Sequence, residues 1–197
     1  NPGLARITLE SLVAADASSS KAFELLGYVY GNEDRLADAH RCLETACRLR
    51  GASPEAFYYL GVSCLKQGLA EPAIQAFDKA IALAGPFFEA LHDRGTAYSQ
   101  LGRNVSALAS YAAALRLRPD AFHLVFNIGK VYDETKDFRN ALVYYDRALQ
   151  IDPNVTDFSV TLDVFARLRD GVSLEAAQQR LAASIGAYRE RYPEDTE

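Results

Sequence analysis

Few side chains in this sequence could do chemistry, and their spacing argues against most of it. Cys42 and Cys47 stand five apart in one helix-length segment, a poor separation for a shared metal. With Cys64 the cysteines number three, an odd count in a chain rich in apolar residues. Buried reduced thiols are therefore expected, not a disulfide framework. His92 and His123, with Asp93 beside the first, could share a proton or a metal only if the fold draws them together. The carboxylates are spread along helix faces without a partner at general acid/base spacing. No Gly-rich phosphate loop, no His-Glu-x-x-His and no Gly-x-Ser-x-Gly turn occurs. The expectation is a non-enzymatic protein with no catalytic residues, no metal and no cofactor.

Composition narrows the partners. The chain has 197 residues, 49% of them hydrophobic, enough to bury a sizeable core. Acids outnumber bases 26 to 21, a net charge of −5, which argues against nucleic acid because phosphate contacts need surplus Lys and Arg. No run approaches the ~18–20 consecutive apolar residues of a membrane helix, so membrane insertion is not expected. The first residues lack the basic and apolar pattern of a secretory leader, and a cytoplasmic location is expected. Two glycosylation triplets, at Asn104 and Asn154, carry no weight in that setting.

The elements that position the reactive side chains follow from self-comparison. Gly27, Gly61, Gly95 and Gly129 are each 34 residues apart. Ala39, Ala73, Ala107 and Ala141 keep the same step, as do Ala46, Ala80, Ala114 and Ala148. So do Leu43, Phe77, Tyr111 and Tyr145, and Gly51, Gly85, Pro119 and Pro153. The second copy reads Phe57-x2-Leu60-Gly61-x2-Cys64, then Ala73-x3-Phe77-x2-Ala80. The fourth reads Val125-x2-Ile128-Gly129-x2-Tyr132, then Ala141-x3-Tyr145-x2-Ala148 and Pro153. The third lapses at Arg94, which takes the Leu column.

Over residues 20–155 this pattern resembles the tetratricopeptide repeat. The resemblance implies an all-α fold, a right-handed α-solenoid of antiparallel helix pairs. The expected units are a capping helix or the tail of a preceding repeat (1–19), four repeats (20–53, 54–87, 88–121 and 122–155) and a degenerate fifth repeat with an acidic tail (156–197). Gly within the first helix and Ala within the second should mark close backbone approach, with the large column filling the wedge between successive pairs. A helical Gly costs about 1 kcal/mol against Ala, so four in register imply a packing return. Gly68 and Gly102 should end their helices in the left-handed region, and Pro54, Pro119 and Pro153 should punctuate the joints. Ala5, Leu9 and Leu12 continue the columns backwards, which, with the missing Met, suggests an array cut from something longer.

The resemblance also implies a concave groove lined by fixed first-helix positions. The first copy would present Lys21, Glu24, Leu25, Tyr28, Gly31 and Asn32. The second would present Glu55, Tyr58, Tyr59, Val62, Leu65 and Lys66. The third offers Glu89, His92, Asp93, Thr96, Ser99 and Gln100, and the fourth His123, Phe126, Asn127, Lys130, Asp133 and Glu134. Tyr58, His92 and Phe126 share one position and are expected anchors. His92 and His123 would then lie close across adjacent copies, as hydrogen-bonding contacts in a pH-dependent groove more than as metal ligands. The family members that grip chaperone C-terminal carboxylates need cations where this chain has Glu24, Tyr58, Glu89 and Asp93, so that activity is not expected.

Five acids against two lysines in copies two to four favour a neutral or basic partner segment with apolar anchors. The leading expectation is a protein-interaction scaffold or adaptor. Two alternatives are the recognition arm of a larger multidomain protein and a self-assembling scaffold, homo-oligomerisation being open to such an array.

Overall fold

Short polar residues and glycines decide where the helices start and stop. The computed structural model describes residues 2–152, all helix and connecting turns among those described. The expected fifth repeat and acidic tail, 156–197, lie outside the described residues. The helices are α1 (Pro2–Ala15), α2 (Ser20–Asn32), α3 (Leu36–Arg48), α4 (Pro54–Lys66), α5 (Ala70–Ala84), α6 (Phe88–Gln100), α7 (Asn104–Leu117), α8 (Phe122–Glu134) and α9 (Phe138–Ile151). α2, α4, α6 and α8 begin 34 residues apart. Ser19 and Ser53 cap α2 and α4, their hydroxyls accepting from the Ala22 and Ala56 amides at 3.3 and 3.0 Å. Pro54 opens α4, where its missing N–H costs nothing.

Gly68 and Gly102 take φ of +74° and +66°, the left-handed turn expected of them. The same turn recurs at Asp34 (φ +58°) and Lys136 (φ +62°), positions not read as turns from the sequence. The connection between the helices of a pair imposes this conformation whatever residue occupies it.

The chain divides into two compact units, Asn1–Ser110 and Tyr111–Glu197. In the first unit, Leu26, Tyr30, Ala39 and Leu43 form one buried cluster. Cys64, Ala70, Ala73, Ile74, Phe77, Ala90 and Ala97 form another. In the second unit Ala141 and Tyr145 are buried against Phe126, Tyr132, Phe138 and Leu142.

The glycine column works differently from the expectation. A Cβ on Gly27 would lie 2.6 Å from Leu43 Cγ, on Gly61 2.5 Å from the Phe77 ring, and on Gly129 2.7 Å from the Tyr145 ring. The large column therefore seats on the glycine of its own pair. Leu43 and Phe77 also belong to clusters that reach the next pair, with Tyr59 and Leu60 of α4 and with Ala90 and Ala97 of α6.

α1 departs from the repeat in the same sense. Leu9 and Val13 pack on the Leu26–Tyr30 cluster, but Ala5 is exposed and Leu12 is 47% exposed. In α3, α5 and α9 the large column also faces the first helix of its own pair. α1 meets α2, the first helix of the next pair, as α3 meets α4 and α5 meets α6. Arg94, the lapse in the Leu column, has a polar role: Nη1 donates to Asp78 Oδ1 at 2.6 Å and Nε to Ser110 Oγ at 3.2 Å.

Candidate functional site

Gly31 opens a pocket between α2 and α4. Its column holds Leu65, Ser99 and Asp133 in the other copies. A Cβ at Gly31 would meet only Ala39 Cβ, at 4.0 Å, so the missing side chain leaves space above α3. The resulting cavity is about 140 Å³, floored by Leu36, Ala39 and Leu43 and walled by Tyr28, Tyr59 and Val62. Tyr58 lines it too, and Asn32 and Lys66 add polar groups. The Tyr28 and Tyr59 rings meet at 5.0 Å and Tyr59 meets Tyr58 at 5.5 Å, giving three tilted aromatic faces in a row. Burial raises the Tyr59 phenol above its usual range, so it stays a neutral donor.

Two polar clusters fix the helices that carry these rings. Glu24, expected in the groove, is 2% exposed. It accepts from Lys21 Nζ at 2.5 Å and from Ser53 Oγ at 2.6 Å. The same hydroxyl accepts from Ala56 N–H, so Glu24 is spent on joining α2 to the start of α4. Further along, Tyr58 Oη donates to Asp93 Oδ2 at 3.0 Å, and His92 Nδ1 lies 2.9 Å from Asp93 Oδ1. Burial, then the Asp93 charge and hydrogen bond, push the Tyr58 phenol well up. Its ring also packs on Phe77 and Phe87, at 6.0 and 5.7 Å. Much of Tyr58 is thus committed to holding α4 on α6, leaving Tyr28 (45% exposed) and Tyr59 as the more available surfaces.

The remaining expected site residues are distributed along α6 and α8. His92 stacks on Phe88 at 5.9 Å, and Thr96 Oγ1 donates to the His92 carbonyl at 3.3 Å. His123, Phe126, Asn127 and Lys130 lie on α8, in the second unit. His123 and Lys130 are exposed and Asn127 is half-buried. Phe126 packs on Tyr145 at 5.2 Å and on Phe122 at 6.0 Å. The pocket therefore brings together Tyr28, Tyr58, Tyr59, Val62 and Lys66 from the expected set. Its floor, Leu36, Ala39 and Leu43, comes from a second helix that groove positions do not cover. The visible signal for it was a glycine standing alone in its column.

No group of three or more His, Cys, Asp or Glu among the described residues could hold a metal ion. The three cysteines are free. Burial pushes the Cys47 thiol up to about 12 and raises Cys42 and Cys64 as well, which leaves them protonated at neutral pH. No helix among the described residues is long and apolar enough to cross a membrane.

Known proteins answer to this geometry. The tetratricopeptide repeat family model matches residues 24–86 and 92–155. YrrB, described as a TPR protein with an unusual peptide-binding site, superposes with a TM-score of 0.72 at 24% identity, over 78% of this chain and 79% of its own. MamA is similar with a TM-score of 0.71 at 24% identity, over 75% of this chain and 86% of its own. MamA residues 41 to the end from Desulfovibrio magneticus RS-1 match with a TM-score of 0.71 at 17% identity, over 90% and 97% of the two chains. No curated protein sequence matches significantly.

Proposed function

Because this chain belongs to the tetratricopeptide repeat family, we propose that it is a non-enzymatic interaction scaffold that seats a partner segment across its first helices. The pocket opened by Gly31 carries this reading. It is apolar, ringed by tyrosines that present large faces at small entropic cost, and built on helices held by the Glu24–Ser53 and Tyr58–Asp93 bonds. The peptide-binding description of YrrB, a protein of the same fold, supports it.

The pocket takes one aliphatic or aromatic side chain of the partner. Glu55 lies one turn before Tyr58 and Tyr59, and Glu89 and Asp93 act on Tyr58 from α6. Their acidity, against Lys66, favours neutral or basic flanks on that partner.

Gly31→Leu tests the reading. Leucine already occupies this column at Leu65, and the space at Gly31 is open, so the variant folds and its side chain fills the pocket. Peptides selected from a displayed library on the native protein, then titrated by calorimetry, are expected to lose at least about tenfold in affinity for Gly31→Leu. Acidic peptides among the best binders would reverse the expected charge. Unchanged affinity for the plugged variant would refute the pocket as the seat.

A further inference from the structure

The other face of α4 carries a cleft that the groove reading does not use. Tyr58, Tyr59 and Val62 look toward the pocket at Gly31, and Phe57, Leu60 and Cys64 lie on the opposite side of the same helix. There they wall a cavity of about 290 Å³ with Glu44 and Cys47 of α3 and Lys79 of α5.

The repeat supplies its own template for what belongs there. A step back of 34 residues carries Cys64 to Tyr30, Glu44 to Glu10, His40 to Arg6 and Phe57 to Phe23. In that earlier copy the crossing is filled. Tyr30 is 8% exposed, and its Oη reaches back from α2 to donate to Glu10 Oε1 of α1 at 2.8 Å. The cleft beside it has the same volume, about 290 Å³, but its walls are α2 and α3 alone. Tyrosine also holds this column at Tyr98 and Tyr132, which leaves Cys64 as the departure among four.

A cysteine side chain reaches α3 only at His40 and is too short to fill the crossing to Glu44 as Tyr30 fills the one to Glu10. The cleft at Cys64 accordingly runs on to Glu44 and Cys47 of α3. Cys64 Sγ meets His40 Nδ1 at 3.8 Å, and Glu44 is half-exposed, with Arg48 at a long 4.0 Å. A carboxylate has room for about four hydrogen bonds, so Glu44 keeps capacity to accept one more. The acceptor that receives a phenol in one copy is retained in the next, where the phenol is missing.

We propose that this cleft receives a tyrosine side chain from a partner protein, its ring beside Cys64 where that of Tyr30 lies one repeat earlier and its hydroxyl donating to Glu44. Phe57, Leu60 and Ala76 give the ring apolar walls, and a buried tyrosine with its hydroxyl paired is a common binding anchor. The site is independent of the groove and faces away from it.

p-Cresol, the tyrosine side chain itself, is the first probe, with toluene and N-acetyl-tyrosinamide beside it. Amide chemical shifts of the native protein are expected to move on α3, α4 and α5 with p-cresol and with N-acetyl-tyrosinamide, and less with toluene. Cys64→Tyr, which supplies the missing ring, is expected to abolish these shifts. Glu44→Ala changes a half-exposed residue and tests the hydroxyl without depending on how Cys64→Tyr folds. It should weaken p-cresol about tenfold and leave toluene unchanged. Absence of cleft shifts up to the solubility limit of p-cresol would overturn the proposal. So would equal binding of p-cresol and toluene, or p-cresol binding that ignores Glu44→Ala. Binding of p-cresol without N-acetyl-tyrosinamide would make this a site for free phenols and overturn the partner tyrosine.

Discussion

A methyl group on Gly61 would stand 2.5 Å from the Phe77 ring, and Phe77 is fully buried with nowhere to swing. Two opposing effects meet at that atom. Alanine favours the helix by about 1 kcal/mol. Overpacking a tight core costs about 1–3 kcal/mol, and here the obstacle is a rigid ring. Gly61→Ala should therefore lower stability by about 1–2 kcal/mol, read from the urea midpoint. In a Phe77→Ala background the obstacle is gone and the same change should stabilise, because only the helix term remains. The same sign in both backgrounds would disprove the steric account of the glycine column. The contrast with Gly31 is instructive, since the two residues are alike in sequence and opposite in surroundings. One glycine makes room for a neighbour, and the other leaves a pocket.

At the scale of elements, α1 shows how a helix can follow the repeat in spelling and not in packing. It is held to α2 through Leu9 and Val13, and through the Tyr30 hydroxyl on Glu10. The hydrogen bond from Tyr30, then that from Arg6, holds the Glu10 carboxyl below its usual range. A carboxyl depressed on folding contributes stability above its unfolded value, near 4.5, and loses it as pH falls through the lower folded value. Glu10→Gln should thus melt below the native protein at neutral pH, by a modest amount because the pair is solvent-screened. The difference should close in acid. A gap in melting temperature that stays constant from neutrality to below pH ~3 would show that Glu10 ionisation does not hold α1. Sequence makes much of this level legible: the helix pairs and the left-handed Gly68 and Gly102 follow from residue type and period. Lys136 does not, because the turn it occupies is imposed by the helix pair and lysine has no preference for the left-handed region. Asp34 is only a weak signal, aspartate adopting that region more readily than most residues.

Among the described residues one helix pair recurs four times after α1, and its period is legible because similar packing demands similar residues at each step. What sequence conceals is of the opposite kind. Both candidate sites arise where one copy departs from the others, at Gly31 among Leu65, Ser99 and Asp133 and at Cys64 among Tyr30, Tyr98 and Tyr132. A departure reads as noise until the neighbouring helix shows whether the lost volume stays open. The same linear plan governs how the molecule should respond to damage. Within the first unit each helix packs on elements one or two places away in the chain, as α2 does on α3 and α4. Stability in such an array is a sum of local terms and nearest-neighbour couplings. Gly27→Ala, whose Cβ would lie 2.6 Å from Leu43 Cγ, places the injury in the first pair. Native-state hydrogen exchange should then quicken in α1, α2 and α3, less in α4 and α5, and remain unchanged in α8 and α9. Equal acceleration of every protected amide would mean that the chain unfolds as a single cooperative body, and the repeat-by-repeat account of its stability would fail.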